Sequence, residues 1–203
     1  MFWDRVACVY DLFVNGINRE THNKLREIVA DLIRPEDEVL ECACGTGMLS
    51  MVIAARCRTL TATDFSTKML ERAKKNCRTF GNITFEPANI TALPFPDATF
   101  DRVVAANVIH LLDDPMQALR ELNRVCKEGG QLIIPTYMNR DRRGRTGHFV
   151  SAVDSAGAGF RRQFTVNSYG DFFREAGYTD VTVTLATGRI PCAVAVMTRT
   201  SRA

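Results

Sequence analysis

Signals for buried strands and for helices alternate along most of this chain, and this order constrains the fold more than any other feature. The spacing of apolar residues predicts a first helix over 20–33, which Pro35 ends. Strands are then predicted at 38–43, 59–64, 82–88, 100–108 and 131–137, with helices at 48–56, 67–76 and 114–130. A repeated strand–helix order predicts a doubly wound parallel α/β sheet with right-handed crossovers.

The C-terminal part departs from this order. A helix is predicted at 167–178, capped by Asn167 or Ser168 and stopped by Gly177, and strands follow at 180–186 and 192–198. Only the short stretch TGRIP separates these two strands. Parallel neighbours need a crossover of about a dozen residues or more, whereas antiparallel neighbours can be joined by a short loop. We therefore predict a seven-stranded sheet that is mostly parallel and has an antiparallel C-terminal strand.

Composition favours one cytoplasmic domain. The 203 residues, 46% of them hydrophobic, can bury one sizeable core, and a net charge of +3 does not by itself imply a nucleic-acid partner. Charged residues interrupt the first apolar stretch, so no signal peptide is predicted, and no apolar run approaches the ~20 residues of a membrane helix. The seven cysteines are odd in number and include no C-x-x-C pair, which predicts buried, reduced thiols.

The stretch VLECACGTGMLS, residues 39–50, leads from the first strand into a helix and allows several interpretations. Cys42 and Cys44 would supply only half of a tetrahedral metal site, and no Cys/His pair at ligand spacing lies nearby, so no metal is predicted. A Walker loop is excluded because no Gly-Lys-Ser/Thr follows. In a dinucleotide fingerprint the third glycine would fall on Ser50, and Glu41 would have no role. By itself, Gly45-x-Gly47 fits an ordinary tight turn equally well.

Together, the motifs of residues 36–135 resemble class I S-adenosylmethionine-dependent methyltransferases. The run LECACGTG resembles their first motif (an acid, three residues, Gly, any residue, Gly), with Ala43 where an additional glycine often stands. TATDFSTKML resembles the second-strand motif, which ends at Asp64, and residues 85–135 resemble the third to fifth strands. The sequence is most similar to small-molecule enzymes of the ubiquinone/menaquinone-biosynthesis type. The resemblance implies a single Rossmann-like domain over 1–203, with S-adenosylmethionine as methyl donor and S-adenosylhomocysteine as product.

The resemblance also implies roles for individual residues in binding the donor. Glu41 would bind the ammonium group, Gly45 and Gly47 would let the backbone approach the methionine part, and Asp64 would accept bonds from the ribose hydroxyls. Asn89 stands where the family usually has an acid that accepts a bond from the adenine amino group, and its amide oxygen could still accept. The remaining predicted contacts are Tyr10, Ala43, Phe65, Met69, Ile90 and Asn107, of which Phe65 and Met69 would pack on the adenine.

Catalysis would depend mainly on alignment and exclusion of water, because the transfer is an in-line displacement of an already activated methyl group. A general base is needed only for an acceptor that must lose a proton. His110 is the leading candidate, since imidazole titrates near neutrality, but the same residue could instead pack against its own helix. Tyr137 and His148 are weaker candidates.

Two segments could cover the site. Residues 1–34, with an aromatic face that includes Tyr10, could form a helical lid or could simply pack on the core. Residues 138–164 are rich in glycine and arginine, including Arg161 and Arg162, and are predicted to be either a cap that favours an anionic acceptor or a solvated loop.

The predicted function is methyl transfer to a small-molecule acceptor. Nucleic-acid methylation is not favoured, because the fourth strand ends in AANV rather than Asn/Asp-Pro-Pro-aromatic, and no Pro-Cys nucleophile follows. The alternatives left open are a nicotinamide-dependent oxidoreductase and a non-catalytic module that binds S-adenosylmethionine.

Overall fold

The computed structural model describes residues 18–138 and 161–199 of the chain. Its helices are α1 (Arg19–Asp31), α2 (Met48–Ala54), α3 (Thr67–Asn76), α4 (Pro115–Val125) and α5 (Val166–Glu175), with a 3-10 turn at Ile109–Leu111. Its strands are β1 (Glu38–Cys42), β2 (Thr59–Asp64), β3 (Ile83–Pro87), β4 (Phe100–Ala105), β5 (Cys126–Tyr137), β6 (Thr182–Ala186) and β7 (Cys192–Thr198).

The seven strands form one sheet in the order β3-β2-β1-β4-β5-β7-β6. Neighbours from β3 to β5 run parallel, and β7 runs antiparallel to both β5 and β6. The predicted α/β class, the hairpin and the reversed strand at 192–198 are therefore confirmed. The reversed strand lies inside the sheet, between β5 and β6, and β6 forms the edge.

Local sequence explains several helix ends. The Ser66 hydroxyl accepts a bond from the backbone N–H of Met69 and caps α3, as predicted. Asp114 caps α4 in the same way, with Pro115 in the first turn. The cap of α5 is Thr165, which forms a capping box with Ser168, so the predicted cap at Asn167 or Ser168 is wrong.

The predicted extent of the fourth helix is also wrong. α4 ends at Val125 and not at the two glycines, because β5 begins at Cys126 opposite Phe100. The pairing register then shifts, so that Arg102 lies opposite Gln131. A Cβ atom on Gly130 would lie 2.7 Å from Cys126 Sγ, so this glycine allows the irregular part of the strand to pack closely.

A separate hydrophobic core lies on each face of the sheet. The core on one face contains apolar side chains of α4 and α5, and the core on the other contains those of α1, α2 and α3. All six cysteines in the described residues are buried and have free thiols. The helices therefore cover both faces, and the carboxyl ends of the parallel strands meet at one edge of the sheet, called here the carboxyl edge.

Candidate functional site

The strand order reverses at β1, which pairs with β2 on one side and with β4 on the other. In open α/β sheets, ligands bind outside the carboxyl ends of the strands at such a reversal. The loop after β1 is the segment predicted to bind the donor, so the fold places this segment at the expected ligand position.

The backbone of the loop after β1 adopts left-handed conformations at three positions. Ala43 has a φ of 55°, Gly45 of 56° and Gly47 of 88°. A Cβ atom on Gly47 would lie 2.8 Å from Cys77 Sγ, so this position requires glycine for its conformation and for its packing. Ala43 carries a Cβ atom in a region where this costs about 1–2 kcal/mol. The glycine that often stands there in the family would avoid this strain.

Asp64 ties the loop after β1 to the end of β2. One carboxylate oxygen accepts from the backbone N–H of Gly45 at 2.9 Å, and the other accepts from the N–H of Ser66 at 2.8 Å. A carboxylate has about four acceptor positions. Each Asp64 oxygen can therefore accept a ligand hydroxyl while it still holds the backbone.

Glu41 lies beneath the same loop and is only 2% exposed. The Ser50 hydroxyl donates to one of its carboxylate oxygens at 2.5 Å. Burial raises the pKa of Glu41 to about 8, the bond from Ser50 opposes this rise, and the charge of Asp64 adds to it. The carboxyl group is thus mostly protonated near neutral pH, and a nearby ammonium group would favour its ionised form.

The predicted adenine contacts lie after β2 and β3. The ring of Phe65 is 61% exposed, which is unusual for a large apolar side chain and leaves it available to a ligand. Met69 and Ile90 are buried. The amide oxygen of Asn89 accepts from both the backbone N–H and the hydroxyl of Thr91, at 3.1 and 2.9 Å. The oxygen predicted to meet an amino group is therefore already engaged, and the NH2 group is the part of the amide that remains for a ligand.

Asn107 connects the ends of β4 and β5. It has a φ of 53°, a conformation that Asn tolerates better than most residues, and its N–H donates to the carbonyl of Pro135 at 2.8 Å. Its side-chain oxygen accepts from the backbone N–H of Tyr137 at 3.1 Å. The prediction placed Asn107 near the methionine part or the acceptor, and its bond to Tyr137 places it beside the end of β5.

His110 lies in the 3-10 turn after β4 and is 2% exposed. Burial lowers its pKa to about 4, so the imidazole is neutral near pH 7 and only weakly basic. Its backbone carbonyl accepts from the N–H groups of Arg161 and Arg162 at 3.0 and 3.1 Å. Arg161 also pairs with Asp113, and Arg162 donates to the carbonyl of Leu112. Both arginines thus dock the end of the predicted cap on this turn.

Sequence reasoning missed a buried contact between α1 and β5. His22 is fully buried, and its Nε2 lies 2.5 Å from the hydroxyl oxygen of Tyr137. The spacing of His22, Leu25 and Val29 would have indicated that His22 faces the core. No local signal could have identified Tyr137 as its partner.

Two other predictions concern a metal site and membrane-spanning helices, and the structure reports on both only for the residues that it describes. In residues 18–138 and 161–199, no group of three or more His, Cys, Asp or Glu side chains is suited to hold a metal ion. Among the helices of the same residues, none has both the length and the apolar character needed to cross a membrane. Tyr10 and His148 lie outside the described residues, as do 1–17 of the predicted lid and 139–160 of the predicted cap.

The sequence is similar to known methyltransferases. Residues 40–134 match the profile of the methyltransferase domain. A ubiquinone/menaquinone biosynthesis C-methyltransferase of Bdellovibrio bacteriovorus is 33% identical over 137 residues, which are 65% of this chain and 58% of the relative. A phosphatidylethanolamine N-methyltransferase of Cereibacter sphaeroides is 34% identical over 170 residues, which are 81% of this chain and 77% of the relative. The chain thus spans little more than half of the first relative and about three-quarters of the second.

A solved structure of another protein has a similar fold. It is described as an S-adenosylmethionine-dependent methyltransferase, possibly a histamine N-methyltransferase, from Thermotoga maritima. It superposes with a TM-score of 0.74 at 22% identity and covers 98% of this chain and 99% of its own.

Proposed function

Because this chain belongs to the S-adenosylmethionine-dependent methyltransferase family, we propose that it transfers the methyl group of S-adenosylmethionine to a small-molecule acceptor. The observation that carries the proposal is the arrangement of Asp64, whose two oxygens hold the loop after β1 and can still accept ligand hydroxyls. Glu41 adds a second carboxyl group under the same loop. A donor with a ribose, an ammonium group and a positively charged sulfur fits this pair of acids.

The bound donor would supply a methyl group activated by the sulfonium. In this proposal Glu41 binds the ammonium group, Asp64 binds the ribose hydroxyls, and Phe65 covers the base. The remaining predicted contacts are Tyr10, Ala43, Gly45, Gly47, Met69, Asn89, Ile90 and Asn107. The protein would accelerate the reaction by holding donor and acceptor in line and by excluding water.

We further propose that the acceptor is anionic and that the reaction takes place in the cytoplasm. Arg161 and Arg162 support the first point, because both lie at the end of the predicted cap and a guanidinium has more N–H donors than the bonds to Asp113 and Leu112 use. Buried free thiols support the second, since they are typical of reducing compartments.

Two measurements test this function. The first compares thermal unfolding with S-adenosylhomocysteine and with NAD, and we expect stabilisation by the former only. Stabilisation by NAD alone would favour the oxidoreductase alternative, which the matched family and relatives do not support.

The second measurement follows a labelled methyl group from S-adenosylmethionine into four acceptors: a short-chain demethylmenaquinone, phosphatidylethanolamine, a malonyl thioester and histamine. Labelled product from an anionic acceptor is expected. A preference for the cationic histamine would contradict the anionic acceptor. Donor binding without product from any acceptor of a wider panel would favour a non-catalytic module.

A further inference from the structure

The hydrogen bond between His22 and Tyr137 joins two titratable side chains at the carboxyl edge of the sheet. Tyr137 is the last residue of β5 and remains partly exposed, whereas His22 lies fully buried behind it on α1. Their Nε2 and hydroxyl oxygen are 2.5 Å apart. Tyr137 can therefore contact a ligand, whereas His22 cannot.

Tyr137 lies on the same face of the sheet as Glu41. Glu41 contacts Ser50 of α2, and Tyr137 packs against the core that contains side chains of α1 and α2. In the sheet register Glu41 lies level with Val104 of β4 and Ile133 of β5, and Tyr137 lies four residues beyond Ile133. The separation is about two strand spacings across the sheet and ~13 Å along it, or ~16 Å in all. Ala106, just past the end of β4, lies on the same face. A donor held at Glu41 and an acceptor beyond it would together span this distance.

Separate sets of hydrogen bonds fix the backbone next to Tyr137 and the backbone next to His22. The N–H of Tyr137 donates to Asn107, and the N–H of the next residue, Met138, donates to the carbonyl of Pro191. On the other side, Asn18 fixes the start of α1 to the β6–β7 hairpin through two bonds to the backbone of Ile190, at 3.0 and 2.9 Å. Because the backbone holds both residues in place, the close contact between their side chains is preorganised.

We propose that Tyr137 and His22 form a proton relay for acceptors that must lose a proton during methyl transfer, an inference that rests on the proposed function. Tyr137 is the catalytic residue because it meets the acceptor, and His22 is the positioning residue that acts through it. As the acceptor atom bonds to the methyl group, Tyr137 takes the acceptor's proton and gives its phenolic proton to His22 Nε2. The electrons of the acceptor's X–H bond stay on the acceptor atom, and those of the broken carbon–sulfur bond stay on sulfur. After the product leaves, His22 returns its proton to the Tyr137 oxygen, and the partly exposed Tyr137 hydroxyl gives up the acceptor's proton to water.

The direction of the hydrogen bond can be tested without any acceptor. In the full chain labelled with ¹⁵N-histidine and saturated with S-adenosylhomocysteine, the relay requires that His22 Nε2 carries no proton and accepts from Tyr137. Tyr137→Phe should shift the Nε2 signal strongly. Tyr169→Phe is the matched control, because Tyr169 bonds to Ile134 and Thr136 of the same strand but packs in the core on the opposite face. An Nε2 that carries a proton near neutral pH would overturn the relay.

The second test measures turnover with whichever of the demethylmenaquinone, phosphatidylethanolamine and histamine gives most product, because each of these loses a proton on methylation and the malonyl carboxylate does not. Tyr137→Phe and His22→Asn should each lower turnover at least about 100-fold, the lower limit of general acid–base effects, while affinity for S-adenosylhomocysteine changes less than twofold. Tyr169→Phe should retain turnover. Unchanged turnover in folded Tyr137→Phe would overturn the relay but leave methyl transfer intact. Failure of the unmodified protein to bind S-adenosylhomocysteine would instead overturn the proposed function. If no acceptor of the panel reacts, the NMR measurement alone tests the relay.

Discussion

The two halves of the carboxyl edge are held together in different ways. The donor half, defined as residues 41–66, is joined by hydrogen bonds that span 9, 19 and 22 residues of the chain. The acceptor half, defined as the start of α1, the ends of β4 and β5, and the hairpin turn at 187–191, depends on bonds that span 115 and 172 residues. The donor half is thus complete once β1 and β2 pair, whereas the acceptor half requires most of the sheet and a docked helix.

Because of this difference, we expect substitutions in the two halves to have different consequences. In the donor half the groups that hold the backbone are also the groups proposed to bind the donor, so we expect substitutions to affect stability and donor affinity together. In the acceptor half the bonds that dock α1 lie away from the proposed donor site, so substitutions there should change stability or turnover and leave donor affinity nearly unchanged. Variants in each half can test this contrast, and the substitution expected to change stability most is Gly47→Ala.

Gly47→Ala should cause the largest change. The left-handed backbone costs about 1–2 kcal/mol for a residue with a Cβ atom, and overpacking against Cys77 costs a further 1–3 kcal/mol. Gly129→Ala is the matched control, because its φ is 71° but no atom lies within 4 Å of the added Cβ. Chemical denaturation should give a clearly greater loss for Gly47→Ala, together with weaker binding of S-adenosylhomocysteine. Equal losses for the two variants would show that packing against Cys77 contributes nothing.

Asp64→Ala should weaken binding of S-adenosylhomocysteine by about 1.5–3 kcal/mol, the scale of hydrogen bonds to a charged group. It also removes the acceptors of the Gly45 and Ser66 N–H groups, so the free energy of unfolding should fall as well. Isothermal titration and denaturation of the same variant measure both effects, and Asp64→Asn, which keeps one acceptor oxygen, should lie between. Unchanged affinity in a folded Asp64→Ala variant would remove this residue from the ribose site.

Asn18→Ala should lower the free energy of unfolding by about 1–3 kcal/mol, because it leaves two buried backbone groups of Ile190 without their side-chain partner. Asn23→Ala on the exposed side of the same helix is the control and should change stability by less than about 0.5 kcal/mol. Affinity for S-adenosylhomocysteine should stay within twofold in both variants. A large loss of affinity in Asn18→Ala would break the separation of the two halves.

The smallest expected effect is the change in the free energy of unfolding over one pH unit that is due to Glu41. Its pKa in the folded state is raised from 4.5 to about 8, so between these values the folded protein binds more protons than the unfolded chain. This group's contribution to stability therefore falls as pH rises through that window, by at most about 1.4 kcal/mol per pH unit. Glu41→Gln removes the titration, so its stability relative to the unmodified protein should increase by at most about 1.4 kcal/mol from pH 6 to pH 7. Parallel stability curves for the two proteins would show that Glu41 is ionised in the fold.

Much of the fold followed from local patterns. The strands at 59–64 and 192–198 and the helix over 67–76 with its Ser66 cap were predicted with their observed bounds. The extent of α4 was not, because pairing of Cys126 with Phe100 outweighed the signal of the later glycines. The cap of α5 was missed because Thr165, a residue type that can also cap a helix, lies two positions before the predicted candidates, and only the folded geometry distinguishes them.

Local sequence was sufficient to predict the donor half. Its acid, glycines and second acid lie within 24 positions of one another, and strand–helix geometry alone brings them to one edge. The burial that raises the pKa of Glu41 and the bonds that engage the Asn89 oxygen with Thr91 depend instead on the tertiary structure. It also decided that His22 meets Tyr137. Periodicity reports which face of an element a residue occupies, but a contact across 115 residues depends on the path of the whole chain, which no local pattern contains.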